Sequence, residues 1–339
     1  MTLLKRLSVG AAALALLLGA GAAQAQELKF FRIGTGSAGG TYFPIGGILA
    51  NAISNPPGSR PCDKGGNCGV PGLVAIAQST NASAHNCTAV NAGQLEAGLT
   101  GAATLFQAYN GVGKFKGKKK PKLRVIANLY PEDLHLVLPK GATLKGGMKD
   151  LKGKRVSIFQ AGSGTQIAVE LFLKELDMTR SDYKPFELNT AQSAERLADG
   201  QIDAFFVAGG TPLGGVVQLD STKGMVLYSF TPEEIAMMNK VLPYYVPSTI
   251  PAGTYENYNK ATKTVAVNGI LITNADQSED LVYQITKAMW SKTARRLLDN
   301  GHAKGKVIRA ETALKGIKAL GVPLHPGAAK FYKEAGLLK

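Results

Sequence analysis

Two α/β lobes, each a mixed sheet flanked by helices, are what this 339-residue sequence predicts. Three observations carry the prediction. Short apolar runs alternate with segments of helical periodicity along most of the chain. The pattern strand, Gly/Ser/Thr loop, helix occurs near the start, in "FFRIGTGSAGGTYFPIGG" (30–47), and again in "DLKGKRVSIFQAGSGTQIAVELFLKEL" (150–176). A second echo joins "AVNAGQLEAG" (89–98) to "RLADGQIDAF" (196–205), in each case the end of a helix, a glycine and a strand.

Before the first strand, Lys5 and Arg6 precede an apolar stretch over residues 7–20, and Ala23-Gln24-Ala25 forms an A-x-A site before Gln26. This is the pattern of a secretory signal peptide, residues 1–25, too short in its apolar part for a span of ~20 residues. The expectation is a periplasmic protein of 314 residues. Without Lys5 and Arg6 the 39 basic residues become 37 against 24 acidic, a net +13. The densest basic run, "KFKGKKKPK" (114–122), holds one aromatic and reads as a solvated loop, and no nucleic-acid partner is expected.

Residues 30–33 read as a buried strand, and Phe43, Ile45, Ile48, Leu49, Ala52 and Ile53 as one helix face, with Pro44 in the first turn. Gly34, Gly36 and Gly39 match G-x-G-x-x-G. A dinucleotide loop would need an acidic residue about 20 positions on, at a strand end. Here residues 54–72 are a Pro/Gly-rich loop with Cys62 and Cys68 six apart, which predicts a local disulfide. No cofactor and no metal are expected, and Cys87 reads as a small buried thiol. "LVAIAQ" (73–78) is a strand, followed by the cap-rich "STNAS" (79–83), while "QLEAGLT" (94–100) is a strand before a helix over 102–109. Two separate strands are predicted at 122–129 and 134–138, with Glu132-Asp133 in a turn after Pro131. Residues 264–272 read as the segment returning to the first lobe, and helices are expected over 279–298, 311–319 and 326–335.

The chemistry lies in the loops. The first amides of a helix lack intrahelical partners and carry partial positive charge, so "GSAGGT" (36–41), "STNAS" and "GSGT" (162–165) can together hold an anion between two facing lobes. Singly, each is an ordinary cap or turn. Gly209-Gly210 ends a strand, as a ligand contact or a plain turn, and Tyr42 stands over the ligand or packs in the core. Neither Ser37 nor Ser163 sits in a G-x-S-x-G elbow, which argues against an enzyme. The alternative is an exported α/β hydrolase using a cleft serine, which requires one of His85, His135, His302 or His325 beside it.

In order and spacing, "IGTGSAGGTYFPIGGILANAIS", "PPGSRPCDKGGNCGVPGLVAIAQST", "NAGQLEAGL", "LKGKRVSIFQAGSGT" and "DGQIDAFFVAGGTP" resemble the TAXI family of TRAP-transporter solute receptors, over about residues 28–338. The resemblance implies a type II periplasmic binding protein, with lobe I formed by 26–128 plus 267–339 and lobe II by 129–266. It implies capture of a small organic anion, a glutamate- or 2-oxoglutarate-like dicarboxylate or an amino acid, by hinge closure, with delivery to sodium-driven membrane subunits. The receptor is expected to be monomeric. Carried onto this sequence, the binding residues are Thr35, Ser37, Gly39, Tyr42, Ser79, Asn81, Ser163, Thr165, Gly209 and Gly210. Relatives differ at Thr80-Asn81-Ala82-Ser83 and at "TGAATLFQAYNG" (100–111), which would also line the cleft.

Overall fold

The computed structural model describes residues 28–339, so the expected signal peptide lies outside the described residues. Twelve strands are described: β1 (Lys29–Gly34), β2 (Ser54–Asn55), β3 (Val70–Pro71), β4 (Leu73–Gln78), β5 (Ala97–Gly101), β6 (Leu123–Pro139), β7 (Arg155–Ser157), β8 (Lys184–Phe186), β9 (Ala204–Gly209), β10 (Met225–Leu227), β11 (Val246–Ile250) and β12 (Thr262–Asn274). Ten form one sheet, ordered β4-β1-β5-β12-β6-β9-β7-β8, with β10 on β6 and β11 on β12. β2 and β3 pair separately.

The order repeats. On one side β4-β1-β5, all parallel, meets antiparallel β12. On the other, β8-β7-β9, all parallel, meets antiparallel β6. Each half is therefore second-first-third strand plus one strand arriving from the opposite half, the type II binding-protein arrangement. β6 and β12 run through both halves and pair with each other from Leu123↔Asn274 to Asp133↔Ala266. Their outer partners change between Tyr130 and Asp133 and between Ala266 and Gly269.

That continuity corrects the expected break at 130–133. Pro131 stands opposite Asn268, beside a register shift at Gly269/Ile270 and before β9 joins at Asp133. A strand tolerates proline where a ladder is interrupted, so the chain stays extended and Glu132-Asp133 is not a turn. The helix expected over 279–298 is likewise two, Glu279–Met289 and Lys292–Gly301, because Ser291 caps the second by accepting from the Ala294 amide. The segment expected as a helix over 311–319 is a 3₁₀ turn, Ala310–Thr312, then the short helix Ile317–Leu320.

Three apolar cores hold the layers. One packs helix Tyr42–Ile53 and the C-terminal helices on the β1 side, through Phe31, Ile45, Leu49 and Tyr332. A second fills the β9 side around Phe205, Val216 and Tyr255. The third runs from Val90 and Leu105 to Phe172 and Tyr245, so it joins both halves. Cys62 and Cys68 form a disulfide with Cα atoms 4.8 Å apart. Cys87 is free and buried, and burial pushes its thiol up to about 12.

The short echo marks a structural device in each half. Arg32 on β1 clamps Glu96 through Nε (2.9 Å) and a terminal guanidinium nitrogen (2.7 Å), while the Arg32 amide donates to the same carboxylate (2.7 Å). Arg155 on β7 repeats all three bonds to Asp203. Glu96 and Asp203 occupy the same place in "QLEA" and "QIDA". The acidic residue just before the third strand is thus tied to the first strand.

Candidate functional site

The two halves are closed on each other. Thr41 Oγ1 donates to the Gly210 carbonyl (2.6 Å), and the Gly215 amide donates to the Gly39 carbonyl (3.2 Å). The Ala84 and His85 amides both donate to the Gly162 carbonyl (3.1 and 3.2 Å). Gln160 Nε2 reaches the Thr80 carbonyl (3.3 Å), and Lys304 pairs with Asp133 at 3.5 Å. Close approach explains two glycines. A Cβ on Gly164 would come within 3.0 Å of the Thr104 and Ser83 hydroxyls, and one on Gly210 within 2.9 Å of Lys304, Thr41 and Tyr130.

Between the halves these contacts leave a cavity of about 40 Å³. From the first half come Ser37, Gly40, Tyr42, Ser83 and Thr104; from the second come Ser163, Thr165, Thr190 and Val207; and β6 adds Glu132. At ~10–15 Å³ for each water, the closed cavity has room for about three waters or a compact solute.

Of the ten residues read from the sequence as binding residues, Ser37, Tyr42, Ser163, Thr165 and Gly209 line the cavity. Three of them also have internal bonds. Tyr42 donates to Glu132 Oε2 (3.0 Å), Ser163 Oγ caps helix Gly164–Glu175 by accepting from the Gln166 amide (3.0 Å), and Thr165 Oγ1 accepts from the Ala208 amide (3.1 Å). The other five lie outside the lining. Thr35 donates to the Gln78 carbonyl (2.7 Å) and Ser79 to that of Gly36 (3.0 Å), both fastening the loop after β1. Asn81 is exposed, and Gly39 and Gly210 serve the contact between halves through their carbonyls.

The geometry changes the role of "STNAS". Helix Ser83–Asn91 spends its Ala84 and His85 amides on the Gly162 carbonyl, so these tie the halves together, while Ser83 itself stays at the cavity. Among the described residues no histidine lines the cavity and none bonds to Ser37 or Ser163, so the histidine that the hydrolase alternative requires beside its serine is not found there.

Glu132 and Thr190 are among the lining residues that sequence reasoning missed. Glu132 is buried beside Tyr42, with Asp133 and Lys304 acting on its charge and that charge acting on Tyr130 and Tyr245. Burial, reinforced by Asp133, pushes its carboxyl up to about 8, against the opposing pull of the Tyr42 bond and Lys304. Burial and the Glu132 charge in turn hold the Tyr42 phenol well above its ordinary range. Three buried polar atoms around the cavity have no hydrogen-bond partner: Ser37 Oγ, Glu132 Oε1 and Thr190 Oγ1.

The model of the NMT1-like family matches residues 33–336. Among solved structures, one of a protein from Bordetella bronchiseptica RB50 is 18% identical, with 92% of this chain and 84% of that one covered, at a TM-score of 0.50. PhnD1 from Prochlorococcus marinus (MIT 9301), in complex with methylphosphonate, is 12% identical over 86% and 97% at 0.49. The alkanesulfonate-binding protein SsuA from Xanthomonas axonopodis pv. citri, bound to MOPS, is 17% identical over 92% and 81% at 0.47.

Proposed function

Since this chain belongs to the NMT1-like family, we propose that it is an extracytoplasmic solute receptor, which captures a small organic solute by closing its two halves and presents it to membrane transport subunits without chemical change. The observation that carries the reading is the set of unpaired atoms, Ser37 Oγ, Glu132 Oε1 and Thr190 Oγ1, around one cavity between the halves. A buried polar group without a partner costs ~1–3 kcal/mol, and a solute that bonds to all three recovers that cost. Ser37 and Thr190 approach from opposite halves, each within 4 Å of where a Gly40 Cβ would lie, so one ligand can draw the halves together. β6 and β12, the strands shared by both halves, are the hinge in this reading.

The membrane partner we propose is a sodium-driven TRAP-type transporter, from the TAXI-like order of the loop motifs along the chain. The solute is a small carboxylate or amino acid, its carboxylate at Ser37 and the start of helix Tyr42–Ile53, where Thr41 offers no side-chain cap. The purified receptor, titrated calorimetrically with carboxylates and amino acids, should bind at least one. A receptor that binds none, or a bound compound that is turned over, removes the reading. Receptor-dependent uptake into vesicles carrying the membrane subunits should follow a sodium gradient, whereas a requirement for ATP would replace the proposed partner by an ATP-driven one.

A further inference from the structure

We propose that Glu132 selects for a protonated nitrogen in the solute, so that this receptor takes amino acids in preference to the oxo acids and dicarboxylates that match them in shape. The inference rests on the receptor reading and narrows it.

Glu132 is the only charged side chain lining the cavity among the described residues, and no Lys, Arg or His lies beside it there. Lys304, the cation that acts on Glu132 from outside, is engaged by Asp133. An anion entering this cavity meets a carboxyl group with no cation to offset it. One Glu132 oxygen accepts from Tyr42 and the other has no partner, although the residue is 4% exposed. A buried carboxylate persists when paired and hydrogen-bonded, and an ammonium group supplies both.

The cavity is also polarised. Tyr42 hydroxyl, Ser83 and Glu132 form one region, whereas Ser37 and Thr190 flank Gly40 in another. Tyr42 links them, because its backbone opens the helix behind the Gly40-Thr41 loop while its hydroxyl reaches Glu132. A solute with a cationic nitrogen at one end and a carboxylate at the other matches both regions. A dicarboxylate matches one and must meet Glu132 in its protonated form. Burial, Tyr42 on its helix, Asp133 on β6 and Lys304 set this protonation, while the Glu132 charge in turn pushes up the neighbouring Tyr130 and Tyr245 phenols.

The test uses pairs that differ only in amine against ketone, L-alanine with pyruvate and L-glutamate with 2-oxoglutarate, titrated against the full mature receptor. The expected result is that the amino acid binds at least 10-fold more tightly in any pair that binds at all, the scale of one lost hydrogen bond to a charged group. E132Q should cut amino-acid affinity at least 10-fold and leave or improve that of the oxo acid. Between pH 8 and pH 5.5, wild-type affinity for the oxo acid should rise relative to the amino acid, a readout independent of how the variant folds. Tighter binding of pyruvate or 2-oxoglutarate, or E132Q binding the amino acid within 2-fold of wild type, overturns the selection while the receptor reading stands. Binding of no member of either class overturns both.

Discussion

Closing an empty receptor should carry a proton penalty at Glu132, and that penalty can be worked out. With the halves closed, the carboxyl is pushed up to about 8 against an ordinary 4.5. An opened, hydrated cleft returns it to the ordinary value. At pH 7 the open form is ionised, and closing on nothing makes it take up a proton. The gap of 2.5 units between 4.5 and 7, at 1.36 kcal/mol per unit, is about 3 kcal/mol, roughly 300-fold in the open-to-closed ratio. The sign follows from which form holds the proton. Below 4.5 both forms are protonated and the group exerts no bias. Between 4.5 and 8 the closed form holds more protons, so closure of the empty receptor weakens as pH rises. E132Q keeps the side chain's size and an acceptor for Tyr42 but has no proton to take up. Spin labels at Gln94→Cys and Lys223→Cys, both exposed and on opposite halves, report the separation by pulsed electron resonance. The unliganded wild type should be mostly open at pH 8 and more closed at pH 5. The variant should be more closed than wild type at pH 7 and insensitive to pH over that range. Identical distance distributions for the two proteins, or a wild type that closes as pH rises, would refute the reasoning.

Gly210→Ala places a Cβ 2.6 Å from the Lys304 stem and 2.9 Å from Thr41 and Tyr130, so the halves should stop short of full closure. Solute affinity measured by calorimetry should fall about 10-fold, equivalent to ~1.4 kcal/mol, while the circular-dichroism spectrum stays native. Burial pushes the Glu96 carboxyl up, but the Arg32 side-chain and backbone hydrogen bonds outweigh it and hold the group below its ordinary range. Its stabilising effect is therefore present at neutral pH and lost as pH falls through its lowered value. Glu96→Gln should cost about 1 kcal/mol after allowance for solvent screening, and the melting temperature should drop by a few degrees at pH 7 and less at pH 3. Replacing Cys62 and Cys68 by Ser opens a loop of six-residue separation, worth about 2 kcal/mol in chain entropy. Amide exchange should accelerate around residues 56–72 while solute affinity is unchanged, since neither cysteine lines the cavity.

The alternation of strands and helices was legible because each element's period is local, and the glycine-rich loops mark where β1 and β7 pass into helices. The Arg32–Glu96 and Arg155–Asp203 clamps were half legible. The repeated "QLEA" and "QIDA" exposed the acidic partners, but nothing local tied them to arginines 64 and 48 residues before them in the chain. The continuity of β6 was hidden for a physical reason. Proline reads as a strand breaker, and only the pairing with β12 and the absence of β9 before Asp133 make it harmless. The loops that line the cavity were legible as helix starts but not by role. A helix N-terminus looks the same in sequence whether its amides meet a solute or, as with Ala84 and His85, the carbonyl of Gly162.

The same misreading of Pro131 concealed the group that gives the cavity its charge. Taken as a turn, Glu132-Asp133 would be solvated, and uncharged dipoles would be left to hold an anion. Within β6 the two side chains part. Asp133 accepts from Thr211 (3.1 Å) and Ser248 (2.7 Å) and pairs with Lys304, so it is satisfied without a solute. Glu132 lines the cavity with one oxygen unpaired. Adjacent acids on one shared strand are thus divided between tasks. One fastens the closed halves, and the other makes their closing depend on what has entered. A solute that only filled the cavity would leave Glu132 to be protonated, whereas one that brings its own positive charge removes the penalty and stabilises the closed form in the same step.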